Sequence, residues 1–188
     1  MSTQFNIEKI LTGNPLIPVV TINALSELDM VYNQLKSHGI SCIEITLRTA
    51  VSWDAIQLFK ERYGDEFSVG VGTIKSVGDI ERCKEVQVDF LVSPGVSDAM
   101  RDALNKCGIP FLPGVATPSE IIQGLEAGWK FFKFFPADLF GGLKALKTYG
   151  SVFSDAKFCP TGGISETNYK DFLALENVLS VGGSWLLK

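Results

Sequence analysis

Eight short apolar segments rich in β-branched residues recur roughly every 20 to 25 residues, and segments with helical spacing of apolar residues separate them. A strand, a helix and two short connections fill one such interval, so the pattern predicts a parallel α/β fold. Eight repeats favour a (β/α)8 TIM barrel over an open doubly wound sheet, since no GxGxxG motif follows the first strand. The predicted strands cover residues 16–22, 41–47, 67–73, 88–93, 109–112, 130–135, 156–160 and 178–181.

The length of 188 residues suits one barrel domain over 1–188, with a substantial buried core. The last predicted strand ends near Gly182, and residues 183–188, which follow it, are too few for an eighth helix. We therefore expect a barrel that lacks the C-terminal helix after strand 8.

Charge and hydropathy exclude several classes of partner. The net charge is -4 and no basic block is present, so a nucleic-acid partner is not expected. Every apolar run stops short of the ~18 residues that a membrane helix requires, and a cytoplasmic protein is predicted. Four cysteines without CxxC spacing are expected to be reduced and buried.

A single histidine, His38, restricts the chemistry open to this chain. Histidine-based metal sites and nucleophiles activated by imidazole need further histidines. We therefore expect no metal, and proton transfer by a carboxylate, a lysine or water.

The segment 130–136 reads KFFKFFP and places one lysine among phenylalanines. Strand alternation puts Lys133 and Phe135 on one face, and Phe132 and Phe134 on the other. If the latter pair faces the helices, Lys133 points into the interior, where burial favours the neutral amine that a Schiff base requires. The alternative is a lysine whose stem packs on the rings while its ammonium group reaches solvent.

The segment 43–48 reads IEITLR, and alternation places Glu44, Thr46 and Arg48 on one face. A buried glutamate is rare unless it is paired or functional, and beside a reacting carbonyl it can transfer protons. Arg48, at the strand end, is placed to bind a substrate carboxylate. The alternative is an internal ion pair of Glu44 with an arginine or lysine that only orders the core.

Thr73 ends the third predicted strand, at the edge where barrel enzymes bind substrate. It shares the alternation face of Val69 and Val71. We expect it either to bind a substrate carboxylate or hydroxyl, or to cap the next helix.

Two glycine pairs, Gly162-Gly163 and Gly182-Gly183, end the seventh and eighth predicted strands. In barrels the loops at these two places often bind phosphate, because bare backbone amides approach the anion and a helix N-terminus favours negative charge. Either pair alone also suits a tight turn, but both together favour a phosphate site.

Six sequence blocks together resemble the class I 2-keto-3-deoxy-6-phosphogluconate (KDPG) aldolases over nearly the whole chain. The blocks are EITLRT at 44–49, GT at 72–73, SPG at 93–95, KFFPA at 133–137, PTGGIS at 160–165 and GGSW at 182–185. The resemblance implies a barrel enzyme without a cofactor, usually a homotrimer, that cleaves the phosphorylated keto acid to pyruvate and glyceraldehyde 3-phosphate in the Entner–Doudoroff pathway. Many members also cleave 4-hydroxy-2-oxoglutarate to pyruvate and glyoxylate.

The resemblance also implies roles for particular residues. Lys133 would form the Schiff base and Glu44 would move protons. The carboxylate and the rest of the pocket would be contacted by Arg48, Thr73, Pro94, Phe135 and Thr161, the last of which resembles the phosphogluconate-type rather than the galactonate-type branch. The phosphate would be bound by Gly162, Gly163, Gly182, Gly183 and Ser184.

Two other functions fit parts of this pattern. A phosphosugar isomerase or synthase barrel would share the phosphate loops but would not need Lys133 between phenylalanines. A non-catalytic subunit that binds a phosphorylated ligand would bind without turnover.

Overall fold

The computed structural model describes residues 4–187, apart from the side chain of Phe5. Strands and helices alternate after an initial helix. The strands are β1 Leu16–Val20, β2 Cys42–Thr46, β3 Ser68–Gly72, β4 Phe90–Val92, β5 Phe111–Leu112, β6 Gly114–Val115, β7 Phe131–Phe134, β8 Lys157–Pro160 and β9 Val181–Gly183. The helices are α1 Gln4–Gly13, α2 Leu28–Ser37, α3 Ser52–Tyr63, α4 Val77–Val86, α5 Asp98–Lys106, α6 Pro118–Glu126, α7 Gly142–Val152 and α8 Tyr169–Leu173.

Every strand pairing is parallel. The larger sheet has the order β5-β4-β3-β2-β1-β9, and the smaller one has the order β6-β7-β8. Two parallel bridges, Phe158 with Val178 and Thr161 with Gly182, connect the smaller sheet to the β9 segment. The predicted parallel α/β fold is therefore confirmed.

The strand predicted over 109–112 is present as β5, and a further strand, β6, which was not predicted, follows it after Pro113. Proline has no amide hydrogen to donate to a ladder, so the regular pairing stops there. The carbonyl of Pro113 still accepts a hydrogen bond from the Lys133 amide at 2.8 Å. The interruption thus leaves the backbone of β7 fixed at the position of the lysine.

Alternation divides the apolar side chains into two groups. Ile43 and Ile45 belong to the core between strands and helices, whereas Cys42 belongs to a second cluster inside the curl of the strands. The same division sends Phe132 and Phe134 toward the helices.

The initial helix α1 was not predicted from the sequence, and it covers the amino-terminal end of this inner cluster. Ile7 and Leu11 are fully buried there, together with Phe90 and Phe131. The Gln4 amide group donates to the carbonyl of Phe131 at 2.9 Å and accepts from its amide at 3.2 Å. Helix α1 is therefore attached to the strands by apolar packing and by hydrogen bonds.

Beyond β9, the described part of the chain ends in a 3-10 turn, Trp185–Leu187. Within residues 4–187, no helix combines the length and apolar character needed to cross a bilayer.

Leu11→Ala is expected to lower the free energy of unfolding by about 2 to 5 kcal/mol, because it leaves a cavity in the inner cluster. Urea titration measures this change. Lys9→Ala, on the exposed face of the same helix, serves as the control. A Leu11→Ala midpoint equal to that of the control would show that α1 does not stabilise the fold.

Candidate active site

An ion pair between Lys133 on β7 and Glu44 on β2 forms the centre of the candidate site. The Lys133 Nζ atom lies 3.0 Å from Glu44 Oε1 and 3.3 Å from Oε2. The two side chains are only 5% and 4% exposed. Strand alternation predicted that both point into the interior, and the structure places them in direct contact although 89 residues separate them.

Space for the carboxylate comes from Gly72 on the neighbouring strand β3. A Cβ atom at this position would lie 2.0 Å from Glu44 Oε1. Any side chain at Gly72 would therefore displace the carboxylate from its contact with Lys133.

Phe135 lies against the same ammonium group. Its ring centroid is 5.2 Å from Lys133 Nζ, a distance that permits a favourable cation–π contact. The ring is half-buried and also lines the cleft above the lysine. It therefore forms part of the wall between the buried charges and solvent.

Arg48 extends from the loop after β2, where it is exposed. Hydrogen bonds fix this loop: the Thr49 amide donates to Ser52 Oγ at 3.0 Å, and that hydroxyl donates to the Thr46 carbonyl at 2.9 Å. No carboxylate pairs with Arg48 in the part of the chain that the structure describes. Its guanidinium group is thus positioned to bind an anion.

Thr73 contacts Arg48 by a route that alternation did not predict. Val69 and Val71 face the helices, but β3 ends at Gly72 and Thr73 has a φ of 64°, in the left-handed region. Alternation does not extend beyond the strand, so placing Thr73 on the valine face was wrong. Its hydroxyl accepts a hydrogen bond from Arg48 Nε at 3.2 Å.

Pro94 follows β4 and is half-buried. Its backbone lies against Gly114, since a Cβ atom there would approach the Pro94 carbonyl carbon to 2.3 Å. The preceding Ser93 hydroxyl accepts from the Gly114 amide at 3.3 Å. Pro94 therefore sits one strand away from β7 but outside the lining of the cleft.

A cleft of about 450 Å³ opens at the carboxyl ends of the strands, and Phe135, whose ring contacts Lys133, lines it, whereas Lys133 and Glu44 do not. It brings together seven of the predicted residues: Arg48, Phe135, Thr161, Gly162, Gly163, Gly183 and Ser184. Five lining residues were not predicted, namely Val19, Val20, Thr21, Ile164 and Leu187. The first three lie where β1 ends, and position at a strand end is the signal that could have identified them.

The loop after β8 adopts a conformation that requires glycine. Gly162 and Gly163 have φ values of 97° and 73°. The Gly162 carbonyl accepts from the Asp138 amide at 3.2 Å, and the Gly163 carbonyl accepts from Asn168 Nδ2 at 3.0 Å. Both carbonyls are thereby held within the protein by neighbouring loops.

Thr161 is buried where this loop begins, opposite Gly182 on β9. A Cβ atom at Gly182 would lie 2.4 Å from Thr161 Oγ1, so glycine permits the close approach of the two strands. Gly183 is buried beside it and Ser184 is exposed. The two glycine segments therefore meet on one side of the cleft.

Cys159 occupies the position on β8 that pairs with Lys133. Burial raises the pKa of its thiol to about 11. All four cysteines are buried and free of disulfides. Cys159 is thus neutral at physiological pH and contributes bulk rather than charge beside the ion pair.

Within the described residues, no group of three or more histidine, cysteine, aspartate or glutamate side chains is arranged to hold a metal ion.

The family model of the KDPG and KHG aldolases matches residues 7–188. The chain belongs to this family. The KHG/KDPG aldolase of Escherichia coli (strain K12) is 41% identical to it over 180 residues, which cover 96% of this chain and 84% of the relative. The aldolase family predicted from the six sequence blocks is therefore confirmed.

Two solved KDPG aldolase structures agree closely with this fold. The Legionella pneumophila enzyme, with pyruvate captured as a covalent carbinolamine intermediate, has a TM-score of 0.92 at 39% identity and covers 96% of this chain and 87% of its own. The Zymomonas mobilis ZM4 enzyme with 3-phosphoglycerate has a TM-score of 0.92 at 36% identity, covering 97% and 86%.

Lys133→Met is expected to lower the free energy of unfolding by about 3 to 5 kcal/mol, because Glu44 is left buried without its partner. The double variant Lys133→Met/Glu44→Gln should lose less than the sum of the two single changes. Urea titration of the three variants measures the coupling, with Lys130→Met at an exposed position as the control. Strict additivity would contradict a stabilising interaction between the two side chains.

Proposed function

We propose that this chain is a class I aldolase that cleaves 2-keto-3-deoxy-6-phosphogluconate to pyruvate and glyceraldehyde 3-phosphate, and 4-hydroxy-2-oxoglutarate to pyruvate and glyoxylate. The observation that carries the proposal is the contact of 3.0 Å between the buried Lys133 amine and Glu44, beside Phe135, which lines an open cleft. The covalent pyruvate adduct of the Legionella relative supports the same chemistry.

The first step needs a neutral amine at Lys133. Glu44 is close enough to accept the ammonium proton directly, so the free amine can attack the C2 carbonyl of the keto acid. The carbinolamine that forms loses its hydroxyl as water when the proton returns. A protonated imine between Lys133 and C2 results.

Cleavage uses the same carboxylate as a base. Glu44 accepts the proton of the C4 hydroxyl while the C3–C4 electron pair moves into the protonated imine. The products of this step are the aldehyde and an enamine of pyruvate on Lys133. Protonation at C3 and addition of water at C2 then release pyruvate and regenerate the amine.

Arg48 and Thr73 are suited to bind the carboxylate of the keto acid. The guanidinium group offers a planar pair of donors to a carboxylate. The Thr73 hydroxyl accepts from Arg48 Nε, so its own proton is free to donate to the same anion. Binding here would place the C2 carbonyl near Lys133, with Phe135 bounding the pocket and Pro94 lying behind it, against Gly114.

The phosphate would bind between the two glycine segments. Gly162 and Gly163 lack side chains that would cover their amides, and their carbonyls bond to neighbouring loops rather than to the cleft. The exposed Ser184 hydroxyl adds a donor, and Gly182 and Gly183 extend this surface. Thr161 lies between the phosphate end and the lysine.

We extend the proposal to the architecture: residues 1–188 form one (β/α)8 barrel domain. The nine strands fill the eight strand positions of such a barrel if β5 and β6, which Pro113 separates, count as one strand. The two parallel bridges between the smaller sheet and the β9 segment support closure. A cytoplasmic location belongs to the same proposal and is supported by four buried cysteines without disulfides.

Borohydride trapping with pyruvate tests the proposed chemistry. Wild-type protein should gain the mass of one reduced pyruvyl group on Lys133, located by peptide mapping, and should release pyruvate from the phosphorylated keto acid in a coupled assay. Lys133→Met should lose both, whereas Lys130→Met should retain both because that side chain is exposed outside the site.

The same measurements separate the other functions. Turnover of a phosphosugar without a borohydride adduct would favour an isomerase or synthase. Phosphate-ester binding without an adduct or turnover would favour a non-catalytic subunit. Either result in folded protein would overturn the aldolase proposal.

We also propose a homotrimer. Leu139 and Phe140, in the loop after β7, are 77% and 46% exposed, and adjacent apolar side chains favour burial against another subunit. Sedimentation velocity should give three times the subunit mass of 20.5 kDa. Phe140→Ser should shift the protein toward smaller species, while Lys144→Ser on the following helix should not. A wild-type monomer would contradict the proposal.

A further inference from the structure

Thr21 lines the cleft directly after β1, a strand that carries none of the residues given a role in the proposed reaction. It shares the cleft wall with Arg48 and Ser184. Thr21 is exposed, whereas Thr46, to which its hydroxyl is bonded at 2.9 Å, is fully buried. A ligand in the cleft can therefore contact the Thr21 side chain.

The hydrogen bonds determine which way the Thr21 hydroxyl points. Thr46 Oγ1 lies 3.2 Å from the Val20 carbonyl, which can only accept, so the single Thr46 proton is used there. Both hydrogen bonds of Thr46 form together only when Thr21 donates the proton between the two hydroxyls. The Thr21 oxygen consequently presents only lone pairs to the cleft.

Neighbouring hydrogen bonds keep this arrangement rigid. The Thr49 hydroxyl donates to the Ile22 carbonyl at 2.6 Å and lies 2.9 Å from Ser52 Oγ. Ser52 in turn donates to the Thr46 carbonyl at 2.9 Å. The chain around Thr21 is therefore attached to the loop that carries the carboxylate-binding arginine.

A hydrogen-bond acceptor in this position distinguishes ligand groups that can donate a proton from groups that cannot. A neutral hydroxyl can donate to it, whereas carboxylate and phosphate oxygens have no proton to give and are repelled by its lone pairs. The two proposed substrates differ in this respect at C5. The phosphorylated keto acid carries a hydroxyl there, and 4-hydroxy-2-oxoglutarate carries a carboxylate.

The difference in exposure between Thr21 and Glu44 favours the C5 position over C4. The C4 hydroxyl must reach Glu44, which is only 4% exposed and does not line the cleft. Thr21 lies at the exposed part, where the portion of the substrate beyond C4 would extend.

We propose that Thr21 is a specificity-determining residue that accepts a hydrogen bond from the C5 hydroxyl of a polyhydroxy keto acid and disfavours a carboxylate at that carbon. This inference rests on the proposed aldolase function and adds a criterion for choosing between its two substrates.

The test compares Thr21→Val with Thr21→Ser. Valine removes the acceptor at nearly constant volume, so kcat/KM for the phosphorylated keto acid should fall about two- to tenfold, the effect of one lost hydrogen bond. The value for 4-hydroxy-2-oxoglutarate should stay constant or rise. Serine retains the oxygen and should keep the wild-type ratio of the two values.

Three controls make the outcomes distinct. Thr148→Val removes an exposed threonine hydroxyl on α7 and should change neither substrate. Borohydride trapping with pyruvate, which has no C5, should be unchanged in Thr21→Val. Thermal unfolding checks that each variant is folded, and Thr21→Ala provides a second variant without the acceptor.

A ratio unchanged in both Thr21→Val and Thr21→Ala would overturn this inference while leaving the aldolase function intact. Equal losses for both substrates would also overturn it and would assign Thr21 a purely structural effect. Absence of a borohydride adduct in the wild-type protein would instead remove the proposed function itself, and this inference with it.

Discussion

Two opposite charges that are almost wholly removed from water stabilise one another only while both are present and in contact. The Lys133–Glu44 pair imposes this condition on its surroundings. Gly72 must lack a side chain so that the carboxylate can approach, and Phe135 must cover the ammonium group. The backbone of β7 is fixed at the lysine by the carbonyl of Pro113. The proposed reaction uses the same closeness, because a carboxylate in contact with the amine can accept its proton.

Much of this centre could be predicted from alternation alone. Phe132 and Phe134 were expected to pack against the helices, so alternation placed Lys133 on the opposite, interior face. Alternation with apolar neighbours placed Glu44 on the interior face in the same way. Such predictions succeed inside strands because the period of two is imposed by the backbone itself. Their contact could not be predicted from spacing, since it depends on how the strands curl.

Other features depend on tertiary structure and were missed. Thr73 lies past the end of its strand in a left-handed conformation, where alternation has no meaning. Helix α1 is stabilised by the inner cluster it covers, and that cluster exists only after the strands assemble. The significance of Thr21 comes from the proton of Thr46, a residue 25 positions away. In each case the residue can be read from the sequence, but the residues that it contacts are known only from the folded structure.

Helix α1 has a further consequence for the order of events in the site. Because Ile7, Leu11 and Phe131 fill the interior on the amino-terminal side of the strands, a ligand bound to Lys133 would extend toward the cleft at the other end. The aldehyde half of the substrate would occupy that path while the pyruvyl half remains attached beneath it. Departure is therefore sequential: the aldehyde leaves first, water enters through the space it vacates, and pyruvate is released last.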